Sequence, residues 1–325
     1  MTTTAESDRT AIEVRGLEKR FGAFTAVAGL TFSVRRGEVF GLLGPNGAGK
    51  STTIRMLCGL LRPSGGSGRV AGFDIVRETE RIKTRIGYMS QRFSLYDELT
   101  VEENLDFYAG IYRVPRSERG ARKEWALEMA DLKDRRRTRT SELAGGWKQR
   151  LALGCAVLHQ PSILFLDEPT SGVDPLSRRR FWDLIYTLAE SGVTSLVTTH
   201  YMEEAEYCDR VGIVFRGQLI ALDSPRALQH RHQAGRLYNV RCNAPAAAAA
   251  ALETDPAVSA VRMRGDTLEL TLRERGDEHV VKKRVERAGC AVRSIEPAMP
   301  SLEEVFVSLI EAHDQADQQT RVVKP

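Results

Sequence analysis

An octapeptide at residues 44–51 has the residue types and the spacing that bind nucleotide phosphates. Its sequence, Gly-Pro-Asn-Gly-Ala-Gly-Lys-Ser, fits the pattern Gly-x-x-x-x-Gly-Lys-Ser. The glycines let backbone N–H groups converge on phosphate oxygens at the start of a helix. The lysine of this pattern reaches the β- and γ-phosphates, and the serine ligates Mg²⁺. The predicted nucleotide contacts are Gly44, Pro45, Asn46, Gly47, Ala48, Gly49, Lys50, Ser51 and Thr52.

An acidic pair, Asp167 and Glu168, follows the apolar run at residues 163–166. Open α/β sheets bind ligands at the carboxyl ends of their strands, so both carboxylates are candidates for a site there. Asp167 would hold Mg²⁺ through water, and Glu168 would act as general base towards the attacking water. Alone, such a pair is more often a solvated turn. Together with the phosphate loop, it indicates hydrolysis of a nucleoside triphosphate.

The elements that must position these residues form an α/β pattern over residues 11–230. Apolar runs at 163–166 and 195–199 are separated by a helical stretch, which favours a parallel sheet with crossover helices. The other predicted elements are antiparallel strands at 11–39, a strand at 38–43, a helix at 52–61, a helical insertion at 98–131 and a hairpin at 211–222.

The element order β-α-β-β-α-β after about residue 230 predicts a second, smaller, ferredoxin-like domain. A last amphipathic helix at 301–312 would have Ser301 as its N-cap. The predicted organisation is a disordered N-terminus at 1–10, a nucleotide-binding domain at 11–230 with a helical subdomain at about 92–155, an α+β accessory domain at 231–313 and a disordered polar tail at 314–325.

Composition limits the cellular setting. The chain of 325 residues is 42% hydrophobic and 28% charged, which is typical of a soluble globular protein. Its polar start does not look like a secretory signal, its apolar runs are too short to cross a bilayer, and its five scattered cysteines fit a reducing compartment. A net charge of +4 does not predict a nucleic-acid partner, and we interpret the arginine triplets at 135–137 and 178–180 as solvated helix faces.

The segment Leu-Ala-Gly-Gly-Trp-Lys-Gln-Arg at residues 143–150 resembles the signature motif of ATP-binding cassette (ABC) ATPases. Four further segments agree with that family in order and spacing. Gln91 resembles the Q-loop glutamine, residues 171–174 resemble the D-loop, His200 resembles the switch histidine, and Phe21 takes the place of the aromatic residue that stacks on adenine. The resemblance covers roughly residues 11–230.

This resemblance implies a P-loop fold with a RecA-like parallel core, an antiparallel β subdomain and a helical subdomain. It implies catalytic roles for Glu168, His200, Lys50 and Gln91, and a metal site made by Ser51, Gln91 and Asp167. It also implies a dimer with an identical chain or a paralogue, in which the signature loop of one cassette caps the ATP of the other. Phe21 and the signature and D-loop residues Ala144, Gly145, Gly146 and Asp174 would complete the nucleotide contacts.

The chain departs from the family at Ala144, where a serine hydroxyl is usual, and at Trp147. A lost hydrogen bond to a charged phosphate costs about 1.5 to 3 kcal/mol. We therefore expect weaker ATP-driven dimerisation or slower turnover than in an Ala144→Ser variant.

Residues 89–105 and 300–306 resemble the ATPase subunits of type-2 ABC exporters, which include antibiotic and multidrug efflux systems. In these, a separate membrane-spanning permease docks near the Q-loop on the cytoplasmic face of the membrane. Phe93, Leu95 and Tyr96 would contact it or, equally, belong to the subdomain core. Two alternatives stay open: an ABC ATPase with a non-transport partner, and a regulatory nucleotide binder with low turnover.

Overall fold

The protein was studied as a computed structural model that describes residues 9–91, 95–233, 237–274 and 278–322. The chain divides into two compact units, Met1–Ser224 and Pro225–Pro325. The first unit contains the phosphate loop and every other predicted site residue.

The first unit combines strands and helices in the following order. Its elements are β1 (Thr10–Phe21), β2 (Phe24–Arg35), β3 (Val39–Leu43), α1 (Lys50–Leu57), β4 (Gly65–Val70), β5 (Phe73–Asp74), α2 (Thr79–Lys83), β6 (Ile86–Met89), α3 (Val101–Ile111), α4 (Arg116–Met129), α5 (Gly145–Val157), β7 (Ile163–Asp167), α6 (Pro175–Glu190), β8 (Thr194–Thr199), α7 (Met202–Ala205), β9 (Arg210–Phe215) and β10 (Gln218–Asp223).

A six-stranded sheet with the order β10-β9-β3-β8-β7-β6 forms the centre of this unit. The strands from β9 to β6 pair in parallel, and β10 closes the sheet as the antiparallel partner of β9. Every residue of β3, β7 and β8 is buried, as expected for strands covered on both faces. The predicted parallel sheet is confirmed, and its carboxyl edge carries the segments that follow β3, β6, β7 and β8.

Two further layers complete the first unit. The predicted antiparallel strands form a sheet with the order β2-β1-β4-β5. The helical insertion consists of α3, α4 and α5, which pack around Leu105, Leu127 and Leu151. Thr100 and Glu103 form a capping box at the start of α3, which fixes where this helix begins.

The second unit contains α8 (Pro225–Gln233), β11 (Leu237–Cys242), α9 (Pro245–Leu252), β12 (Val258–Arg264), β13 (Thr267–Leu272), α10 (Glu278–Arg287), β14 (Val292–Pro297) and α11 (Leu302–Val322). Its antiparallel sheet has the order β12-β13-β11-β14. Its core includes Val240, Leu268, Leu270, Val281 and Val285. The β-α-β-β-α-β order and the ferredoxin-like topology are therefore as predicted.

Several predicted boundaries differ from the structure. The strand β1 begins at Thr10, within the N-terminus expected to be disordered, of which residues 1–8 lie outside the described residues. The second unit begins at Pro225 and not at 231. The helix expected at 52–61 begins at Lys50, directly after Gly49 with φ of 104°, and ends at Leu57. The tail expected to be disordered from residue 314 instead continues α11 to Val322. Alanine and glutamine are good helix formers, so this polar sequence extends a helix that has already started. Among the described residues, no helix is both long and apolar enough to cross a membrane.

Candidate functional site

The phosphate loop joins the end of β3 to the start of α1. A Cβ atom at Gly44 would lie 2.2 Å from the carbonyl oxygen of Val214, and one at Gly49 would lie 2.4 Å from that of Ala26. Gly49 also has a left-handed backbone, which glycine adopts without strain. Both glycines are therefore required for the close backbone packing that aims the start of α1 at a ligand.

Lys50 is the first residue of α1 and is only 3% exposed. Its Nζ donates hydrogen bonds to the carbonyl oxygens of Gly44 at 2.7 Å and Pro45 at 3.1 Å. The same atom forms an ion pair with Oε1 of Glu168 at 3.2 Å. Burial lowers the pKa of the Lys50 ammonium, and the Glu168 carboxylate partly offsets this shift. A buried cation therefore lies inside the loop and faces the acidic pair.

Asp167 ends β7 and is fully buried beside the phosphate loop. Its Oδ1 accepts hydrogen bonds from the hydroxyls of Ser51 and Thr198, each at 2.8 Å. Its Oδ2 is buried and accepts no hydrogen bond from any described residue. A buried carboxylate oxygen with spare acceptor capacity, next to a serine hydroxyl, is the oxygen donor set that Mg²⁺ prefers. These residues fit the predicted magnesium site.

Glu168 follows Asp167 with φ of 49°, a left-handed conformation that non-glycine residues adopt only under constraint. Its backbone N–H donates to Oγ1 of Thr198 at 2.9 Å, which holds this turn. Its Oε2 accepts a hydrogen bond from Nε2 of Gln91 at 3.2 Å and lies 3.1 Å from Nδ1 of His200. The structure thus gathers Lys50, Gln91 and His200 around the carboxylate of Glu168.

The signature residues lie on a surface of their own. Ala144 is the N-cap of α5, and its side chain makes no capping hydrogen bond. A cavity of about 350 Å³ is lined by residues that include Gly145, Gly146, Gly172, Asp174, Ser177 and Arg180. Signature and D-loop residues therefore form one continuous surface.

Asp174 has a local structural role in addition to any nucleotide contact. Its carboxylate caps α6 by accepting the backbone N–H of Ser177 at 2.9 Å. This hydrogen bond lowers the pKa of Asp174. Asp174 therefore stays ionised at the helix N-terminus, where negative charge is favoured.

Phe21 ends β1, and its side chain is half-exposed. Nζ of Lys19 lies 5.1 Å from the centre of its ring. Phe24 begins β2 on the other side of the turn and is 62% exposed. An aromatic face is therefore available at this turn, as stacking on a nucleobase would require.

Two contacts of the Trp147 ring are not evident from the sequence. The guanidinium of Arg150 lies 4.1 Å from the centre of the Trp147 ring, and that of Arg135 lies 4.6 Å from it. Arg150 is buried and also pairs with Asp131. The aromatic residue that replaces the usual signature side chain thus contacts two cations.

The interpretation of 178–180 as a solvated face is wrong for Arg178, and that of 135–137 is incomplete. The Arg178 side chain is 17% exposed, and its Nε forms an ion pair with Oε1 of the fully buried Glu204 at 3.3 Å. Arg135 stacks on Trp147, as described above. Local sequence does not single out Glu204 as a buried residue, because the glutamates at 203, 204 and 206 look equally solvated.

A groove of about 580 Å³ lies between the helical insertion and the segment around β6. Its lining includes Leu60, Tyr88, Ile111, Tyr112 and His159. The ring of Tyr112 stacks on that of His159 at 3.9 Å. The groove therefore combines apolar surface with aromatic rings.

Of the three residues predicted near the Q-loop, Phe93 lies outside the described residues. Leu95 packs against the helical core. Tyr96 is 44% exposed and contacts Phe107 at 4.6 Å between ring centres. Leu95 is thus half-buried against the helical core, whereas Tyr96 presents an accessible ring.

Comparison with known proteins agrees with this geometry. Residues 27–171 match the family described as "ABC transporter", and residues 224–310 match "ATP-binding protein DrrA1-3-like, C-terminal domain". A probable multidrug ABC transporter ATP-binding protein of Escherichia coli strain K12, YbhF, is 52% identical over 220 residues, which are 68% of this chain and 38% of that protein. The linearmycin resistance ATP-binding protein LnrL of Bacillus subtilis strain 168 is 41% identical over 68% of this chain and 71% of its own length.

Solved structures show the same fold. An ATP-binding subunit of an ABC transporter has a TM-score of 0.62 and 31% identity, covering 69% of this chain and 93% of that one. An ATP-binding cassette in a dimeric post-hydrolysis state with ADP and phosphate has a TM-score of 0.60 and 25% identity, covering 66% and 98%. This chain belongs to the family of ABC transporter ATP-binding proteins. It spans only 38% of the length of YbhF.

Proposed function

We propose that this protein binds Mg²⁺ and ATP, hydrolyses ATP, and thereby drives a separate membrane-spanning permease that exports drugs or other hydrophobic compounds. The main support is the environment of the Glu168 carboxylate. Glu168 is held in a constrained backbone conformation directly beside the phosphate loop, and Lys50, Gln91 and His200 all contact its carboxylate. A structural carboxylate would not need this combination of partners.

Each side chain has a distinct role in hydrolysis. Lys50 and the N–H groups of the loop bind the β- and γ-phosphates of ATP. Glu168 accepts a proton from the attacking water, which Gln91 orients through its amide. His200 donates a hydrogen bond to the γ-phosphate as negative charge develops there. Ser51, Gln91 and Asp167 would hold Mg²⁺, which would supply charge neutralisation at the phosphates.

The active unit is a dimer of cassettes, made with an identical chain or a paralogue. The support is that Gly145 and Gly146 begin α5 on a surface shared with Asp174, and helix N-termini favour phosphate. A related cassette bound to ADP and phosphate is dimeric. In such a dimer, this surface covers the nucleotide held by the partner's phosphate loop.

The transport part of the proposal rests on the groove and on the relatives. YbhF is described as a probable multidrug transporter protein, and other relatives as linearmycin and daunorubicin resistance proteins. The groove beside Ile111 and Tyr112 offers apolar and aromatic surface to a permease segment, and Tyr96 is a further accessible aromatic ring of the same unit. The protein then works at the cytoplasmic face of a membrane.

Co-expression with the membrane protein encoded by a neighbouring reading frame tests this function. Ile111 is 59% exposed in the groove, so Ile111→Arg should prevent docking. Val76 is 40% exposed on the antiparallel sheet subdomain, and Val76→Arg is the matched control.

We expect the wild-type protein and the Val76→Arg variant to reach the membrane fraction only when the permease is present. The Ile111→Arg variant should remain outside that fraction. Membrane association of Ile111→Arg at the wild-type level would contradict docking in this groove. Failure of the wild-type protein to associate would contradict this permease as its partner.

A further inference from the structure

The carboxylate of Glu204 is fully buried in the short helix α7 and is held by three side chains from different segments. The hydroxyl of Thr170 donates to Oε1, and the hydroxyl of Thr199 donates to Oε2 at 2.6 Å. Nε of Arg178 completes the set with an ion pair to Oε1 at 3.3 Å. A buried carboxylate is tolerated only when it is paired and hydrogen-bonded, so these contacts are interdependent.

Each partner of Glu204 lies close in sequence to a predicted site residue. Thr170 is two residues after Glu168, and Thr199 directly precedes His200. Arg178 is one helical turn after Asp174, and its backbone N–H donates to the carbonyl oxygen of Asp174 at 2.9 Å. One carboxylate therefore joins the segment of the general base, the segment of the switch histidine and the helix that follows the D-loop.

A second set of contacts joins Arg178 to His200. The Arg178 guanidinium lies 4.2 Å from the centre of the Tyr201 ring, and the rings of Tyr201 and His200 are 4.1 Å apart. His200 in turn contacts Glu168. Two chains of contacts thus connect the helix after the D-loop to the general base. A displacement of Arg178 would move His200 through Glu204 and Thr199, and also through Tyr201.

We propose that Glu204 is a positioning residue for ATP hydrolysis, which fixes Glu168 and His200 relative to each other and ties both to the D-loop helix through Arg178. This inference rests on the roles proposed above for Glu168 and His200. Because Asp174 and its neighbours line the surface that would meet a second cassette, the Arg178–Glu204 pair also makes the position of the general base depend on dimer contacts.

The predicted signature is a loss of turnover without a loss of ATP binding. Within the described residues, the Glu204 carboxylate makes no hydrogen bond or ion pair with the phosphate loop, so the affinity for ATP should persist when the carboxylate is neutralised. The geometry of Glu168 and His200 should not persist, and a misplacement of about 1 Å can cost about 100-fold in rate. Substitution of a residue that serves only stability would instead lower ATP binding and turnover together, in proportion to the folded fraction.

The experiment compares Glu204→Gln with Glu38→Gln in the purified full-length protein. Glu38 is a matched control, since it is also buried and also pairs with an arginine, Arg210, at 3.1 Å, but it precedes β3 at the end remote from the phosphate loop. ATP affinity, kcat and Tm are measured for both variants. Glu168→Gln serves as the reference for loss of the general base.

We expect Glu204→Gln to lower kcat by about 10-fold or more, given the geometric sensitivity of catalysis, with an unchanged Kd for ATP. Glu38→Gln should lower Tm yet keep kcat within about twofold of wild type once the folded fraction is accounted for. A wild-type kcat in Glu204→Gln, with Glu168→Gln inactive, would overturn the inference alone. An active Glu168→Gln would instead overturn the proposed catalytic role of Glu168.

If Glu204→Gln does not fold, single-hydroxyl variants decide the matter. Thr170→Val and Thr199→Val each remove one donor to Glu204, and Thr170→Ser and Thr199→Ser restore it. Reduced kcat at constant Kd in the valine variants, with recovery in the serine variants, supports the positioning role. Equal kcat in the valine and serine variants would overturn it.

Discussion

Nζ of Lys50 lies 3.2 Å from Oε1 of Glu168, and both side chains are more than nine-tenths buried. This ion pair joins the loop that binds phosphate to the carboxylate proposed to activate water. Charge interactions strengthen as water is excluded. A nucleotide phosphate at Lys50 would therefore interact with a buried ammonium that already faces the Glu168 carboxylate. The proposed chemistry depends on this pair and on its immediate neighbours.

Lys50→Met should weaken ATP binding because it removes the ammonium inside the phosphate loop. Charge-assisted hydrogen bonds contribute about 1.5 to 3 kcal/mol, so Kd should rise by about 10- to 100-fold. Titration with a fluorescent ATP analogue measures this change. An unchanged Kd, with the variant still folded, would show that Lys50 does not contact nucleotide.

Ser51→Ala should raise the Mg²⁺ concentration needed for half-maximal hydrolysis. The Ser51 hydroxyl lies beside Asp167, whose Oδ2 accepts no hydrogen bond within the described residues. Ser195→Ala is the matched control, since it removes a fully buried serine hydroxyl from the interior of β8. Mg²⁺ titrations of ATP hydrolysis should separate the two variants. Identical Mg²⁺ dependence in both would count against the metal site.

Ala144→Ser should strengthen ATP-driven dimerisation or raise turnover. A serine at an N-cap also stabilises a helix by about 1 kcal/mol, so stability alone cannot report on phosphate binding. Ala144→Gly is the control, because glycine suits an N-cap but adds no hydroxyl. Size-exclusion chromatography with ATP in a Glu168→Gln background measures dimerisation. The ATPase rate is compared without the Glu168→Gln substitution. If Ala144→Ser changes neither dimerisation nor this ATPase rate, Ala144 is not the cause of a weak signature site.

Asp255→Asn should destabilise the second unit in a pH-dependent way. The backbone N–H of Ala257, together with Arg284 at 2.7 Å, lowers the pKa of Asp255. A lowered pKa stabilises the fold above the unfolded value of about 3.9, and this stabilisation is lost as pH falls through the folded pKa. The variant should therefore lose about 1 kcal/mol or less at pH 7, and less near pH 2 than at pH 7.

Chemical denaturation at the two pH values tests this, with Asp266→Asn in the β12–β13 turn as control. An equal loss of stability for Asp255→Asn at both pH values would contradict the lowered pKa of Asp255.

Local sequence patterns were sufficient where they determine local structure. The alternation in β1 and β2, the glycines of the phosphate loop and the β-α-β-β-α-β order all act over a few residues, and the structure agrees with each. The contacts of Glu204 and Arg178 could not be found in this way, since their partners are separated by up to 34 residues and become neighbours only when β7, β8 and α6 pack. The left-handed backbone of Glu168 likewise depends on Thr198 in the adjacent strand.

The ATPase rate of Glu168→Gln, compared with wild type in the presence of Mg²⁺, tests the central claim most directly. Glutamine keeps the shape of Glu168 and its contacts with Gln91, but it cannot accept the proton of the attacking water. We predict that ATP binding persists while turnover falls by about 100-fold or more, as expected for loss of a general base. Turnover within about twofold of wild type would contradict the assignment of Glu168 as the base, since general-base catalysis contributes about 100-fold or more.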